Sequence, residues 1–225
     1  MGISRGPNIV KEGLILHFDA ASRRSYTSGS DIWRNLTDID SPISGNMVGL
    51  SWTGSAIGSV YFDGTENYVD CGLNIFNTSS YTKIIAFKPH QADANNLISG
   101  DTHQNYGLHT LWMNSTSDTI KAGHNALSYN TIQYNAGNML HKWNWVAQTF
   151  DSSTGFQLYY NGNLVASSSD TTPILSGSGC YIGAYKHTTY NDFNGVIGIA
   201  MIYNRVLTDD EMAQNYEAVK RRFGL

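Results

Sequence analysis

Carboxylates and imidazoles are the groups in this sequence that could perform acid–base chemistry, and their spacing argues against it. Hydrolysis of a glycosidic bond takes two facing carboxyl groups, one acting as acid and the other as nucleophile or base. Alternate positions of a strand would put such a pair on one face. The four glutamates are Glu12, Glu66, Glu211 and Glu217, and none lies two residues from an aspartate within a strand-like stretch. The seven histidines, His17, His90, His103, His109, His124, His141 and His187, are scattered. No G-x-S-x-G or H-E-x-x-H motif occurs, and no Cys/His cluster has zinc-ligand spacing. The chain is read as a non-enzyme.

Sugar recognition asks for different groups. An aromatic ring stacks on the apolar face of a sugar, while amide, carboxylate and imidazole groups bond its hydroxyls. Three loop-like stretches hold that mixture: Asp101 to Tyr106, Tyr129 to Asn135 and Tyr185 to Asp192. They nominate His103, Tyr106, Tyr129, Tyr134, Tyr185, His187 and Tyr190 as ligand-binding residues. Trp112, Trp143 and Trp145 are assigned to core or cross-strand packing, because aromatic residues also favour strands.

These loops need strands to hold them. Gly13 to Asp19 reads as a first strand, and 22–58 as loop-rich with Trp33 and Trp52 as anchors. Val60 to Phe62 and Tyr68 to Cys71 flank Asp63-Gly64-Thr65 and predict a hairpin. Tyr81 to Phe87 predicts a strand ending at Pro89, which cannot donate to a ladder. Gly107 to Met113 and Thr119 to His124 predict a pair, and Trp143 to Asp151 a long strand. Asn161-Gly162, between Phe156–Tyr160 and Asn163–Ala166, is the signature of a type I′ hairpin, which needs positive φ at both central residues. Phe193 to Asn204 predicts a long last strand. Thr208-Asp209-Asp210-Glu211 predicts a capping box opening a helix over 208–223. Met212, Tyr216, Val219 and Phe223 form its apolar stripe, Lys220 to Arg222 suit its C-terminal dipole, and Gly224 closes it. The stripe is expected to pack on the chain's own sheets.

The whole reads as an all-β, two-sheet antiparallel sandwich with one C-terminal helix, a single domain over 1–225 with an N-terminal arm at 1–12. At 225 residues such a domain builds a full core, and 14% charged residues with 22 glycines suits short strands and tight turns. A net charge of −4 gives no reason to expect nucleic acid. The N-terminus lacks the apolar core of a signal peptide, and no stretch has the length of a membrane span. Cys71 and Cys180 make no disulfide framework and read as small buried hydrophobes, with a bridge between them left open.

The blocks YFDGTENYVDCG, WNWVAQTFDSSTGFQLYYNGNLVASS and CYIGAYKHTTYNDFNGVIGIAMIYNRVLTDDEM, in that order, resemble laminin-G-like domains of the concanavalin-A-like lectin/glucanase superfamily. The resemblance implies a jelly-roll fold. The glucanases of that superfamily carry an E-x-D-x-x-E strand that this sequence lacks. Many relatives bind calcium at a sandwich rim. That makes Asp101, Asp192 and Asn191 candidate Ca²⁺ ligands, but Asp and Asn also favour turns for local hydrogen bonding, and the reading preferred is ordinary turn residues with no cofactor.

The opening GPNIVKEGLILHFDAASRRSY and the closing NYEAVKRRFGL resemble single-domain structural proteins of tailed-bacteriophage virions. The match weakens after Trp33, so 38–58 is read as a loop conformation of its own. This second resemblance implies a virion protein, in capsid decoration or in a tail or fibre, assembled in a host cytoplasm. Its partners would be other virion proteins in multiple copies or a homo-oligomer, with a host-surface glycan as ligand. A lectin module unconnected with a virus is the second reading. A glycoside-active enzyme with acids supplied by loops is the third.

Overall fold

A computed structural model describes residues 7–225 apart from 38–43, 54–56, 73–75, 77, 92–93, 101, 104–105, 108, 115–117, 124–131, 173–178 and 185–191. In chain order the strands begin with β1 (Leu14–Asp19), β2 (Ile32–Arg34), β3 (Ser44–Val48), β4 (Ser51–Trp52), β5 (Val60–Asp63) and β6 (Tyr68–Asp70). Next come β7 (Ser80–Pro89), β8 (Ala94–Gly100), β9 (Thr102–His103), β10 (Tyr106–Gly107), β11 (Thr110–Asn114) and β12 (Thr119–Gly123). Then follow β13 (Ile132–Asn135), β14 (Asn144–Asp151), β15 (Gly155–Tyr160), β16 (Asn163–Ser168), β17 (Cys180–Ile182), β18 (Asn194–Tyr203) and helix α1 (Asp209–Phe223).

Two antiparallel eight-stranded sheets carry the fold. The first runs β16-β15-β14-β7-β18-β5-β4, and β1 also pairs with β18. The second runs β13-β12-β11-β8-β17-β6-β3-β2, and β9 with β10 forms a small separate ribbon. Between the sheets lies the main core, built from alternate residues such as Phe18, Ile85, Phe87, Val146 and Ile202 on one side and Val69, Leu111, Met113 and Ile120 on the other. The opposite residues of the first sheet, including Ile84, Ala86, Trp145, Ile199, Met201 and Tyr203, form a second core under α1. Met212, Val219 and Phe223 are its helical side, as the spacing predicted.

Asn215 is buried in the same face of α1, a polar residue where the stripe predicted none. Its Oδ1 accepts from the Val10 N–H at 2.8 Å and its Nδ2 donates to the Tyr203 hydroxyl at 3.1 Å. That hydroxyl donates to the Val10 carbonyl at 2.9 Å. The triangle ties the N-terminal arm, the last strand and the helix together, and burial pushes the Tyr203 hydroxyl's pKa up. The capping box forms: Glu211 N–H donates to Thr208 Oγ1 at 3.3 Å and Thr208 N–H to Glu211 Oε2 at 3.0 Å. Glu211 also holds Arg205 bidentately at 2.6 and 2.7 Å, which draws its carboxyl down to about 2. Gly224 ends the helix in the left-handed conformation.

Asn161 and Gly162 both have positive φ, 46° and 82°, and Tyr160 faces Asn163 across the predicted two-residue hairpin. A Cβ on Gly162 would stand 2.4 Å from the Tyr216 ring, so the turn and the helix need glycine there. The hairpin predicted around Asp63-Gly64 does not form. β5 pairs with β18 and β4 in the first sheet, whereas β6 pairs with β17 and β3 in the second. Residues 63–67 are a crossing between sheets, closed by side chains: Asn67 Oδ1 accepts from Asp63 N–H at 2.7 Å, and Asp63 Oδ1 from Thr65 N–H at 2.8 Å. The region read as loop also carries β2, β3 and β4. Trp33 is a buried anchor stacked on Phe18 at 5.2 Å, while Trp52 is exposed against Tyr26.

Among the described residues one lysine is buried in the interior. Lys83 on β7 points between the sheets and is fully buried. Its ammonium donates to the His109 carbonyl and lies 4.3 Å from the Phe76 ring centre and 5.2 Å from that of Tyr81. Burial lowers its pKa from 10.5 to about 7, with Cys180 acting weakly the other way. Above 10.5 the amine is neutral folded or unfolded. Between about 7 and 10.5 the unfolded chain holds a proton that the folded chain does not, so stability rises with pH across that window and levels off on either side of it.

In urea titrations the protein should gain about 3 kcal/mol between pH 7 and 9.5 from this group. Lys83→Met should remove that gain, and equal slopes in the two proteins would refute the assignment. Glu211 acts with the same sign in a lower window: its lowered pKa contributes stability above pH 4.5 that is lost as pH falls towards 2. Glu211→Gln should cost about 1 kcal/mol at pH 7 and nothing near pH 2.

Candidate functional site

Helix α1 covers the outer face of the first sheet, and the second sheet has an outer face of its own. Strand alternation decides what it presents. Leu111 and Met113 point into the core, so Trp112 points out; Ile120 and Ala122 point in, so Lys121 points out. The register then lines up four residues on adjacent strands: Gln133 opposite Lys121, Lys121 opposite Trp112, and Trp112 opposite Asn96. The Lys121 ammonium lies 4.9 Å from the centre of the Trp112 ring. Exposure rises along the row, from buried Asn96 through half-buried Trp112 and Lys121 to exposed Gln133. A bulge at Leu97 sends both Leu97 and Ile98 inward and returns Ser99 to the outer face.

A second row crosses the other half of the face, with Ser99 opposite Tyr181, Tyr181 opposite Asp70 and Asp70 opposite Asn46. Tyr68 and Tyr181 meet edge to face at 6.1 Å. Ser99 Oγ donates to the Ala184 carbonyl at 2.8 Å, so the chain leaving β17 turns back onto this face. Gly183 makes the turn with φ of 87°. Asp70 is the one carboxylate in the two rows, and its Oδ1 accepts from Gly72 N–H at 2.8 Å. Among the described strands none carries two acidic residues.

The residues nominated from sequence fall unevenly on this frame. Tyr129, Tyr185, His187, Tyr190, Asn191 and Asp101 lie outside the described residues. His103 and Tyr106 face each other across the β9–β10 ribbon, which leads from β8 into β11. The end of β8, the start of β11, the end of β12 and the start of β13 lie at one end of the second sheet. Tyr134 points to the interior side of β13, where its ring packs against Tyr160 at 5.7 Å and closes the flank between the sheets.

Asp192 ties down the crossing at 63–67, accepting from Glu66 N–H at 2.6 Å. Burial raises its pKa, with Glu66 and Asp63 adding to the rise and the Glu66 N–H opposing it. Among the described residues no group of three or more His, Cys, Asp or Glu side chains is placed to hold a metal ion.

The rows were missed from sequence because the tryptophans were treated together. Trp145 is buried under the helix, and Trp143 packs on Phe223 at 4.5 Å. Trp112 does make the expected cross-strand contacts, but on an outer face. The alternation of Leu111-Trp112-Met113 against Ile120-Lys121-Ala122 was the available signal. A rival cleft of about 480 Å³ beside Trp143, Tyr160 and Lys142 has its Asn144 amide already engaged. Asn144 donates to the Met139 and Lys142 carbonyls and accepts from the Tyr160 hydroxyl at 2.7 Å.

The family described as the concanavalin A-like lectin/glucanases superfamily matches residues 63–213, and the chain belongs to it. No curated protein sequence matches. Among solved structures, Trypanosoma rangeli sialidase in complex with sialic acid has a TM-score of 0.69 at 14% identity, covering 93% of this chain and 33% of the sialidase. The chain thus spans about a third of that enzyme's length. Domain 4 of AbnA, an extracellular arabinanase from Geobacillus stearothermophilus, in complex with arabinotriose, has a TM-score of 0.64 at 14% identity, covering 92% of this chain and 100% of that domain. The botulinum neurotoxin serotype D binding domain has a TM-score of 0.65 at 11% identity, covering 92% and 52%. At these identities the likeness is one of fold.

Asp192→Ala should leave the Glu66 N–H without its acceptor and cost about 1–2 kcal/mol. Asp192→Asn keeps an acceptor oxygen and removes a charge beside Asp63 and Glu66, so it should be neutral or slightly stabilising at pH 8. Thermal denaturation of the two variants checks this; an equal loss in both would refute the tethering role.

Proposed function

We propose that this member of the concanavalin A-like lectin/glucanases superfamily is a non-catalytic, glycan-binding protein. The observation that carries the reading is the Gln133–Lys121–Trp112–Asn96 row on the outer face of the second sheet, which opens from buried Asn96 to exposed Gln133. Its open end offers the half-buried Trp112 ring to stack on a sugar, with the Lys121 ammonium and the exposed Gln133 amide beside it to bond hydroxyls. The arabinanase domain, matched over its whole length and described in complex with arabinotriose, supports the reading by analogy of fold. The non-catalytic part rests on the carboxylates: Asp70 stands without a second acid in the two rows, and its oxygen is engaged by Gly72.

The proposed setting is a tailed-bacteriophage particle, in capsid decoration or in a tail or fibre, with several copies present and a host-surface glycan as ligand. The support is the resemblance of the two terminal segments. Those segments pack on each other through Val10 and Asn215, and Gln214 donates to the Asn8 carbonyl at 2.7 Å.

An array of neutral and acidic oligosaccharides, probed with the protein and with Trp112→Ala, tests the binding. The variant should bind at least about tenfold more weakly while melting within a few degrees of the parent. Equal binding, or no bound sugar, would overturn the reading. Hydrolysis of a bound oligosaccharide, lost on changing one acidic residue, would overturn its non-catalytic part. Isolation of a native particle carrying the chain tests the setting.

A further inference from the structure

We propose that Cys71 and Cys180 are a modification site: a cysteine pair preset to close as a disulfide between β6 and β17 when the chain folds in the presence of a thiol oxidant. The inference is independent of the glycan reading.

The register makes the case. Ile182 is opposite Val69 and Tyr181 is opposite Asp70, so the next step along both strands puts Cys180 opposite Cys71. The ladder continues there, with Cys71 N–H donating to the Cys180 carbonyl at 2.9 Å. Directly opposed positions of antiparallel strands hold their Cα atoms about 4.5–5.5 Å apart. A disulfide spans Cα separations of about 4.4–6.8 Å, so the backbone has no need to move. Both side chains point into the same core, as Val69 and Ile182 do on the same strands. The two thiols are hydrogen-bonded to each other, and burial first, then this bond, raise the pKa of the Cys71 thiol well above its ordinary value.

Burial sets the timing. Cys71 is 1% and Cys180 0% exposed, so an oxidant of the size of glutathione disulfide reaches neither sulfur once the sheets have closed. Exchange therefore belongs to the folding chain. One cysteine thiolate attacks a sulfur of glutathione disulfide, breaking its S–S bond and releasing one glutathione. The second cysteine attacks the mixed disulfide, the protein S–S bond forms, and the second glutathione leaves. The two thiol protons end on the two released glutathiones, and the protein pair loses the two electrons that the oxidant gains. The same burial then protects the product. The pair would record the redox state in which the chain folded.

The bridge would close a loop of roughly 110 residues, from β6 to β17 and containing β7 through β16. Stapling a loop that long restricts the unfolded chain strongly, so the folded state gains.

The test is refolding of the full chain from denaturant in buffers of reduced or oxidised glutathione. Thiols are then titrated in denaturant, intact mass is measured, and disulfide-linked peptides are mapped. Oxidising buffer should give a monomer lighter by two hydrogens, with a peptide linking Cys71 to Cys180 and a Tm higher by about 5–10 °C than the reduced protein. The double variant Cys71→Ser with Cys180→Ser should melt at one temperature in both buffers. Folded reduced protein moved into oxidised glutathione should acquire the bridge only as fast as it unfolds. Two titratable thiols after oxidative refolding, a predominance of glutathione adducts or intermolecular bridges, or a bridged protein melting no higher than the reduced one would each overturn the proposal.

Discussion

Burial of β18 on both faces is the constraint on which the rest of the structure depends. All ten of its residues are buried. Ile197, Ala200 and Ile202 belong to the core between the sheets, and Ile199, Met201 and Tyr203 to the core beneath the helix. A strand apolar on both sides cannot face water, so something must cover the outer side of the first sheet. Helix α1 does so, and its start is fixed to the sheet it covers: Thr82 Oγ1 on β7 donates to the Arg205 carbonyl at 2.8 Å and accepts from Leu207 N–H at 3.1 Å. The far edge of β18 is shared, with β5 pairing along its first half and β1 along its second. The register shift falls between Ile197 and Ile199, where one partner gives way to the other.

This requirement makes the two sheets unequal. One has its outer face filled with side chains from the helix and the N-terminal arm. The other is free to carry polar and aromatic residues outward. The location of the Trp112 row thus follows from the location of the helix, and hence from the apolar sequence of β18. The last residue of β8, the first of β11, the last of β12 and the first of β13 lie at the same end of the second sheet.

Local signals were legible in the sequence wherever the chemistry was local. Asn161-Gly162 forms its turn because both residues take positive φ, and Thr208 with Glu211 forms its box within four residues. Asp63-Gly64 carries the same kind of turn signal and misled, because a turn does not determine whether its two flanking strands join one sheet. Pairing depends on partners far away: β18 takes β5, and β17 takes β6. Lys83 was illegible for a similar reason. It sits in an ordinary strand pattern, and only the packing of Phe76 and Tyr81 around it, with the carbonyl of His109, reveals that it is interior. Asn215 shows the same limit on the helix, since its place in the apolar stripe is settled by Val10 and Tyr203 at the two distant ends of the chain.

The same geometry explains why this superfamily's scaffold supports binding without obliging catalysis. Hydrolysis of a sugar linkage needs a proton donor and a second carboxylate on the opposite side of the scissile bond. The row from Gln133 to Asn96 supplies amides, an ammonium group and an indole, none of which can serve as that pair. In the neighbouring row Asp70 lies between Tyr181 and Asn46, and its oxygen holds the turn at Gly72. Catalysis on such a face would take acids at alternate positions of one strand, and among the described strands none carries two acidic residues. Lys121 lies instead over Trp112: the cation keeps the ring in place across the strands, and both remain partly open to a ligand.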